Sequence, residues 1–185
     1  MGGGATCPPE LLDVPLVDDT KVIAIEHATA GVWAEFGVYR GNSARYLINH
    51  MPDNTVIHLF DSFRGLPEEW DLGNEVSQRF VVDKIPTFND VRVITHVGMF
   101  ADTLPADMGV LNLVHIDCDL YQSTVTVLDN IQVEPGTVIL FDEYHGYPNY
   151  AMHERKAYLE WSQRTNYKLN WLAKGRMQAV GIVYQ

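Results

Sequence analysis

Two apolar strands that each run straight into acidic residues are the strongest constraint in this sequence. The strands lie at residues 114–116 and 138–141. The acids that follow are Asp117 and Asp119 after the first strand and Asp142 and Glu143 after the second. Short apolar strands of this kind are typical of a parallel sheet, whose carboxyl edge brings such side chains to one point. Acids so crowded raise one another's pKa or hold a cation, and we place the chemistry at this edge.

Strand and helix patterns alternate along the rest of the chain. The predicted strands are Val32–Phe36, Thr55–Phe60, Val91–Val97, Leu111–Ile116 and Val138–Phe141. The predicted helices are 21–28 with a cap from Asp18 or Asp19, 44–50, 75–84, one capped by Ser123 or Thr124 and ending near 132, and 151–165. Residues 168–173 and 177–184 alternate like the strands of a hairpin. This order predicts an α/β fold: a Rossmann-like, doubly wound sheet of about seven strands, mostly parallel, with a C-terminal antiparallel hairpin.

Length and charge limit the function classes. With 185 residues, 46% of them apolar, we expect a short N-terminal tail and helix over 1–30 and one domain over 31–185. The net charge of −11 argues against nucleic acid or an anionic membrane as a partner. Two cysteines and no apolar run long enough for a span or a secretory signal predict a reducing, cytoplasmic location. The start, residues 1–6, fits a loose myristoylation pattern or a flexible tail.

A turn with glycines follows the first predicted strand. Gly37 and Gly41 lie four residues apart, so the turn differs from the G-x-G-x-x-G pattern, but it precedes a helix whose free N–H groups can receive a ligand. The strand itself carries an unexpected acid, Glu35. Asp61 ends the second strand, about 20 residues past the turn, where an acid can accept hydrogen bonds from ribose hydroxyls. A helix-capping role for Asp61 is the alternative.

Several motifs in the right order resemble one family. They read Glu-Phe-Gly-Val-Tyr-Arg-Gly-Asn-Ser at 35–43, Phe-Asp-Ser-Phe-Arg-Gly-Leu-Pro-Glu at 60–68, His-Ile-Asp-Cys-Asp-Leu-Tyr-Gln-Ser-Thr at 115–124, and Phe-Asp-Glu-Tyr at 141–144 after Pro135-Gly136. His153-Glu154 before an aromatic helix also fits. With these motifs the chain, over about 31–161, resembles the class I S-adenosylmethionine-dependent methyltransferases, and more narrowly the metal-dependent macrocin-O-methyltransferase-like family that methylates sugars of natural products.

The resemblance implies roles at the matching positions. For S-adenosylmethionine it implies contacts from Glu35, Gly37, Tyr39, Asn42 and Ser43 to the methionine part, from Asp61 and Ser62 to the ribose, from Gly98 and Phe100 to the adenine, and from Asp117. It also implies that a divalent ion is bound by Asp117, Asp142 and Glu143, with Mg²⁺ as the first candidate. Carboxylate oxygens suit Mg²⁺ or Ca²⁺, and the sequence shows no Cys/His set for zinc.

The base that takes the acceptor's proton is less defined. Related metal-dependent catechol methyltransferases carry a lysine three places after the first metal aspartate, where this chain has Leu120. Asp119 is the first candidate base and His145 the second, although Asp119 also suits a metal ligand. We interpret His115, inside a strand, as a hydrogen-bonded core histidine rather than a catalytic one. Family members usually carry a longer N-terminal segment, so we expect a more open site here, or a lid from a partner subunit in a homo-oligomer.

Three functions remain open at this point. The first is a metal-dependent O-methyltransferase that acts on a hydroxyl of a small molecule, with a sugar of a natural product as one option. The second is a nucleotide-sugar glycosyltransferase, because Asp117-Cys118-Asp119 is also a D-x-D signature for a metal-diphosphate complex. That function leaves the glycine turn and Asp61 without an assignment. The third is a cofactor-binding module without catalysis.

Overall fold

A single seven-stranded sheet forms the centre of the molecule. The computed structural model describes residues 7–67, 80–104 and 106–185. Its strands are β1 (Val32–Phe36), β2 (Val56–Asp61), β3 (Val93–Val97), β4 (Leu113–Ile116), β5 (Val138–Phe141), β6 (Lys168–Lys174) and β7 (Ala179–Tyr184). They lie in the order β3-β2-β1-β4-β5-β7-β6. Strands β1 to β5 pair in parallel, and β7 runs antiparallel to both β5 and β6. The predicted Rossmann-like sheet with a C-terminal hairpin is therefore confirmed.

Strand boundaries differ from the prediction by one or two residues. β1 and β5 begin and end where predicted, whereas β3 and β4 begin two residues late. Val91 is fully exposed ahead of the sheet. Leu111 is buried, but its N–H donates to the Gln132 carbonyl rather than to a neighbouring strand. A buried apolar residue therefore extends the sequence pattern past the true end of the hydrogen-bonded ladder.

In the described ranges, one α-helix precedes the first strand and four others lie between later strands. They are α1 (Thr20–His27), α2 (Asn42–His50), α3 (Phe100–Thr103), α4 (Tyr121–Asn130) and α5 (Glu154–Thr165). The Asp19 side chain caps α1 by accepting from the Lys21 N–H at 2.9 Å, as predicted. The predicted cap of α4 is wrong, because the helix begins at Tyr121 without a side-chain cap. The Thr124 hydroxyl already lies inside the helix and donates to the Leu120 carbonyl.

Two other helix predictions change. The helix expected from residue 151 begins as a 3₁₀ turn over Tyr150–Met152, and the backbone of His153 (φ −112°, ψ −126°) separates that turn from α5. Of the helix predicted over 75–84, residues 75–79 lie outside the described part of the chain, and 80–84 are not helical. The terminal residues 1–6 also lie outside the described part.

Both faces of the sheet are covered by helices, which explains why the central strands are mostly apolar. On one face Phe36 and Ile116 pack with residues of α4 and α5 such as Val127 and Trp161. On the other face Trp33 packs with residues of α1 and α2, such as Leu47. No helix in the described ranges is both long and apolar enough to cross a membrane.

Candidate active site

The sheet changes winding direction between β1 and β4, and there the backbones come unusually close. The chain leaves β1 through Gly37, which has a φ of +99°. A Cβ atom on Gly37 would lie 1.8 Å from the Asp117 carbonyl oxygen, so only glycine fits. The Asp117 N–H donates in turn to the Phe36 carbonyl at 2.9 Å. Open α/β sheets bind their ligands in the crevice at such a point.

A pocket with about 680 Å³ of empty space, part of it open to solvent, occupies this crevice. The predicted cofactor residues that line it are Gly37, Tyr39, Asp61, Ser62, Gly98, Phe100 and Asp117. Glu35, Asn42 and Ser43 are not among the lining residues. Seven of the ten predicted cofactor residues therefore face one cavity.

Asp61 organises the glycine turn at the floor of this pocket. Its Oδ2 atom accepts from the backbone N–H groups of Val38 and Tyr39, at 2.8 and 2.7 Å. Its Oδ1 atom accepts from the Phe63 N–H at 2.6 Å. Tyr39 and Phe63 both have positive φ angles. The Asp61 carboxylate thus holds two tight turns together while it lines the pocket.

The unexpected acid of β1 is explained by a histidine on the next strand. Glu35 is fully buried, its Oε1 accepts a hydrogen bond from the Ser43 hydroxyl, and the same atom lies 3.3 Å from Nδ1 of His115. Nε2 of His115 lies 3.8 Å from Oδ1 of Asp142. Burial alone lowers the pKa of His115, but the side chains of Asp142 and Glu35 outweigh it and raise that pKa to about 10. A buried chain of charges therefore runs from the glycine turn to the acid cluster.

The predicted metal carboxylates form a cluster beside the pocket. Asp117, Asp142 and Glu143 each offer an oxygen, and these atoms all lie within 4.8 Å of one another. Burial and then the neighbouring acids raise the pKa of Asp117 and of Glu143 well above their usual values. Burial opposes the charge of Asp142 too, but contact with His115 holds its pKa below the usual value. The Oε2 atom of Glu143 is buried without a hydrogen-bond partner in the described part of the chain.

These features fit a divalent cation. Carboxylate oxygens are ligands that hard cations such as Mg²⁺ and Ca²⁺ take in proteins, and a bound cation offsets the mutual repulsion of three crowded carboxylates. Asp117 lines the pocket and belongs to the cluster as well, so the two sites share this residue.

The two candidate bases lie in different places. Asp119 lines the pocket, is 6% exposed and has a φ of +60°, which turns the chain into α4. His145 is also buried, but its backbone N–H donates to the carbonyl of Met177, in the turn between β6 and β7, and it does not line the pocket. Burial lowers the pKa of His145. The structure therefore brings Asp119, and not His145, to the pocket wall.

Sequence reasoning assigned no role to several residues of the site. Lining residues without a predicted role in the site are Gly65, Leu66, Pro67, Phe80, Met99, Cys118 and Ser123. Glu154, fully buried at the start of α5, was noted only as part of a motif. A signal for it was present: Glu154, Ala157, Tyr158 and Trp161 follow the spacing of one helix face, and all four are buried. An acid on an otherwise buried helix face indicates a specific partner.

Comparison with known proteins agrees with this geometry. The model of the macrocin-O-methyltransferase (TylF) family matches residues 17–165. A Streptomyces olivaceus protein named 8-demethyl-8-(2,3-dimethoxy-alpha-L-rhamnosyl)-tetracenomycin-C 4'-O-methyltransferase is 29% identical over 138 residues. That match covers 62% of this chain, and the chain spans 53% of the length of that relative.

Solved structures share the fold. The O-methyltransferase NovP superposes with a TM-score of 0.68 at 21% identity, covering 88% of this chain and 77% of NovP. An O-methyltransferase from Bacillus cereus, solved in complex with S-adenosylhomocysteine, gives a TM-score of 0.55 at 16% identity, covering 91% of this chain and 82% of that protein. Because the family model spans most of the sequence and the fold agrees, the chain belongs to the macrocin-O-methyltransferase (TylF) family.

Proposed function

We propose that this protein is an S-adenosylmethionine-dependent O-methyltransferase that uses a divalent cation to bind its acceptor. Mg²⁺ is the first candidate for this cation. The observation that carries the proposal is the shared position of Asp117, which lines the pocket and belongs to the acid cluster. A methyl donor and a cation-bound hydroxyl must lie next to each other for direct transfer, and the shared Asp117 supports such an arrangement.

The pocket residues suggest how the cofactor is held. Gly37 leaves room for a ligand against the backbone, and Asp61 offers a carboxylate to the ribose hydroxyls beside Ser62. Phe100 and Met99 give an apolar wall for the adenine next to Gly98. Tyr39 lies at the entry to α2, where the methionine part would bind. Three residues expected to contact the cofactor have other roles in this proposal. Ser43 donates a hydrogen bond to Glu35, and this pair supports the glycine turn. Asn42 is the exposed first residue of α2.

The reaction residues follow from the same geometry. Asp117, Asp142 and Glu143 would hold the cation, and Asp119 accepts the proton of the acceptor hydroxyl at the pocket wall. When bound, the cation lowers the pKa of that hydroxyl, and the cofactor supplies the methyl group on its sulfonium.

The acceptor we propose is a hydroxylated small molecule, and a sugar of a natural product is the first class to test. The name of the Streptomyces relative supports this class. The net charge of −11 supports a partner other than nucleic acid or a membrane surface. We keep a homo-oligomer as a proposal, and the free Cys7 and Cys118 support a reducing, cytoplasmic location.

Isothermal titration separates this function from the two alternatives. We expect S-adenosylhomocysteine to bind and a UDP-sugar not to bind; binding of the UDP-sugar alone would favour a glycosyltransferase and overturn the proposal. Incubation with labelled S-adenosylmethionine, Mg²⁺ and a panel of rhamnosylated acceptors should then transfer label to product. Cofactor binding without transfer to any acceptor, with or without added metal, would support a non-catalytic module.

A further inference from the structure

Glu154 connects the two loops that carry the acid cluster. It is the first residue of α5 and has no exposed surface. Its Oε1 atom accepts from the Cys118 N–H at 3.1 Å, and its Oε2 atom accepts from the Glu143 N–H at 3.1 Å. Cys118 follows Asp117 in the chain, and Glu143 follows Asp142. One carboxylate therefore binds the backbone directly beside each half of the cluster.

These two hydrogen bonds link the β4 and β5 loops beyond the end of the β4–β5 ladder. The ladder between β4 and β5 ends with the bond from the Asp142 N–H to the Ile116 carbonyl, at 2.9 Å. Just beyond this last bond, the N–H groups of Cys118 and Glu143 both donate to the Glu154 carboxylate. Without this acceptor, two buried backbone donors would lose their partners, and the loops would have no direct bond between them at this level.

The helix that carries Glu154 is itself fixed. Ala157, Tyr158 and Trp161 bury the same face of α5 in the core. Arg155, the next residue, donates to both carboxylate oxygens of Glu10 at 2.7 and 3.0 Å. The position of Glu154 relative to the sheet is therefore set from outside the site, as an effective support for ligand-bearing loops requires.

We propose that Glu154 is a positioning residue that sets the spacing of the cation-holding carboxylates Asp117, Asp142 and Glu143. This inference rests on the proposed function, since it requires the cluster to bind a cation. Both oxygens of Glu154 are needed as acceptors. A glutamine at this position offers one acceptor oxygen and turns an NH₂ group towards the second N–H donor.

The test measures Mn²⁺ affinity on the full-length chain by electron paramagnetic resonance, with Mn²⁺ as the probe for the Mg²⁺ site. Loss of a supporting partner behind metal ligands commonly weakens metal binding by about 10- to 100-fold. We expect Glu154→Gln to weaken Mn²⁺ binding by about that factor. Its affinity for S-adenosylhomocysteine should stay within about threefold of the wild-type value. At saturating Mg²⁺ this variant should recover most of its kcat. The substitution disturbs the spacing of the carboxylates that bind the cation, but it keeps the residues that take part in the reaction.

Two further variants separate positioning from charge. Glu154→Asp keeps a carboxyl group but is one methylene too short to reach both N–H donors, so we expect it to weaken Mn²⁺ binding as well. Glu160→Gln is the matched control, because it makes the same substitution in the same helix and changes the acceptor of the Tyr121 hydroxyl from a carboxylate to an amide oxygen, away from the cluster. We expect wild-type Mn²⁺ affinity in that control.

Several results would overturn the inference. Wild-type Mn²⁺ affinity in a folded Glu154→Gln or Glu154→Asp variant refutes positioning and leaves the proposed function standing. Equal loss of Mn²⁺ and S-adenosylhomocysteine affinity, without rescue by Mg²⁺, shows a general structural role instead. Absence of Mn²⁺ binding by the wild type removes the metal part of the proposed function and this inference with it. If the variants do not fold, amide exchange in the wild type decides: the Cys118 and Glu143 amides must be strongly protected, and rapid exchange refutes the bonds.

Discussion

Replacement of His115 by leucine tests the buried chain of charges under the site. Leucine fills much of the imidazole volume but cannot pair with Glu35, which has no exposed surface. Nδ1 of His115 lies 3.3 Å from the Glu35 carboxylate, and removal of one partner of a buried pair costs about 3–5 kcal/mol. We therefore expect His115→Leu to destabilise the metal-free protein by an amount of that order.

The pKa of His115 gives a second value for the contribution of His115 to the free energy of unfolding. It rises from 6.5 to about 10 in the folded protein, against the contribution of burial, through Asp142 and Glu35. At about 1.4 kcal/mol for each pH unit, this rise corresponds to roughly 5 kcal/mol of stability. A group whose pKa is raised on folding stabilises fully below its unfolded pKa. This contribution is therefore complete below pH 6.5 and disappears as the pH rises towards 10.

Urea denaturation of metal-free wild type and His115→Leu, at several pH values between 6 and 10, measures the effect. The difference in unfolding free energy between the two proteins should be several kcal/mol at pH 6 and shrink steadily towards pH 10. His115 also lowers the pKa of Asp117 and of Asp142, so the difference reports His115 together with the carboxylates that interact with it. Glu35→Gln added to His115→Leu should restore most of the loss, because replacement of both partners is close to neutral.

Two outcomes would refute this reasoning. A cost below about 1 kcal/mol at pH 6 means that Glu35 and His115 form no ion pair. A difference that stays constant with pH means that His115 is neutral in the folded protein.

Three further substitutions probe the site itself. Gly37→Ala should abolish S-adenosylhomocysteine binding in a calorimeter and lower the urea midpoint, because its Cβ would lie 1.8 Å from the Asp117 carbonyl oxygen; unchanged affinity would show that the turn does not form the pocket. Asp142→Ala should remove Mn²⁺ binding and methyl transfer while circular dichroism keeps the spectrum of the fold, and transfer at the wild-type rate would refute the metal assignment. Asp119→Asn should lower kcat by about 10²–10⁴ at unchanged Mn²⁺ and cofactor affinity; a loss of Mn²⁺ affinity instead identifies Asp119 as a ligand.

The sheet and its acidic edge could be predicted because they depend on local patterns. Apolar runs that end in acids mark β4 and β5, and parallel pairing then places Asp117 near Asp142 without further information. The glycine turn after β1 was visible for a similar reason, since Gly37 is required by the close approach of the two strand ends.

The parts that escaped prediction depend on partners far away in the chain. Glu35 is unexpected inside a strand until His115, on the neighbouring β4, is known to lie beside it. The early start of α4 results from the backbone of Asp119, whose positive φ is not evident from the residue type. Glu154 is an acid at a helix start, a common capping pattern, and only the fold shows that it binds two other loops.

The most direct test of the account is a crystal structure of the chain with S-adenosylhomocysteine and Mn²⁺ bound, with the metal located by its anomalous signal. The account predicts one Mn²⁺ ion on the carboxylates of Asp117, Asp142 and Glu143, with the cofactor sulfur facing it from the Gly37 pocket. Cofactor bound in that pocket with the metal at another place, or a pocket that holds no cofactor, would contradict it.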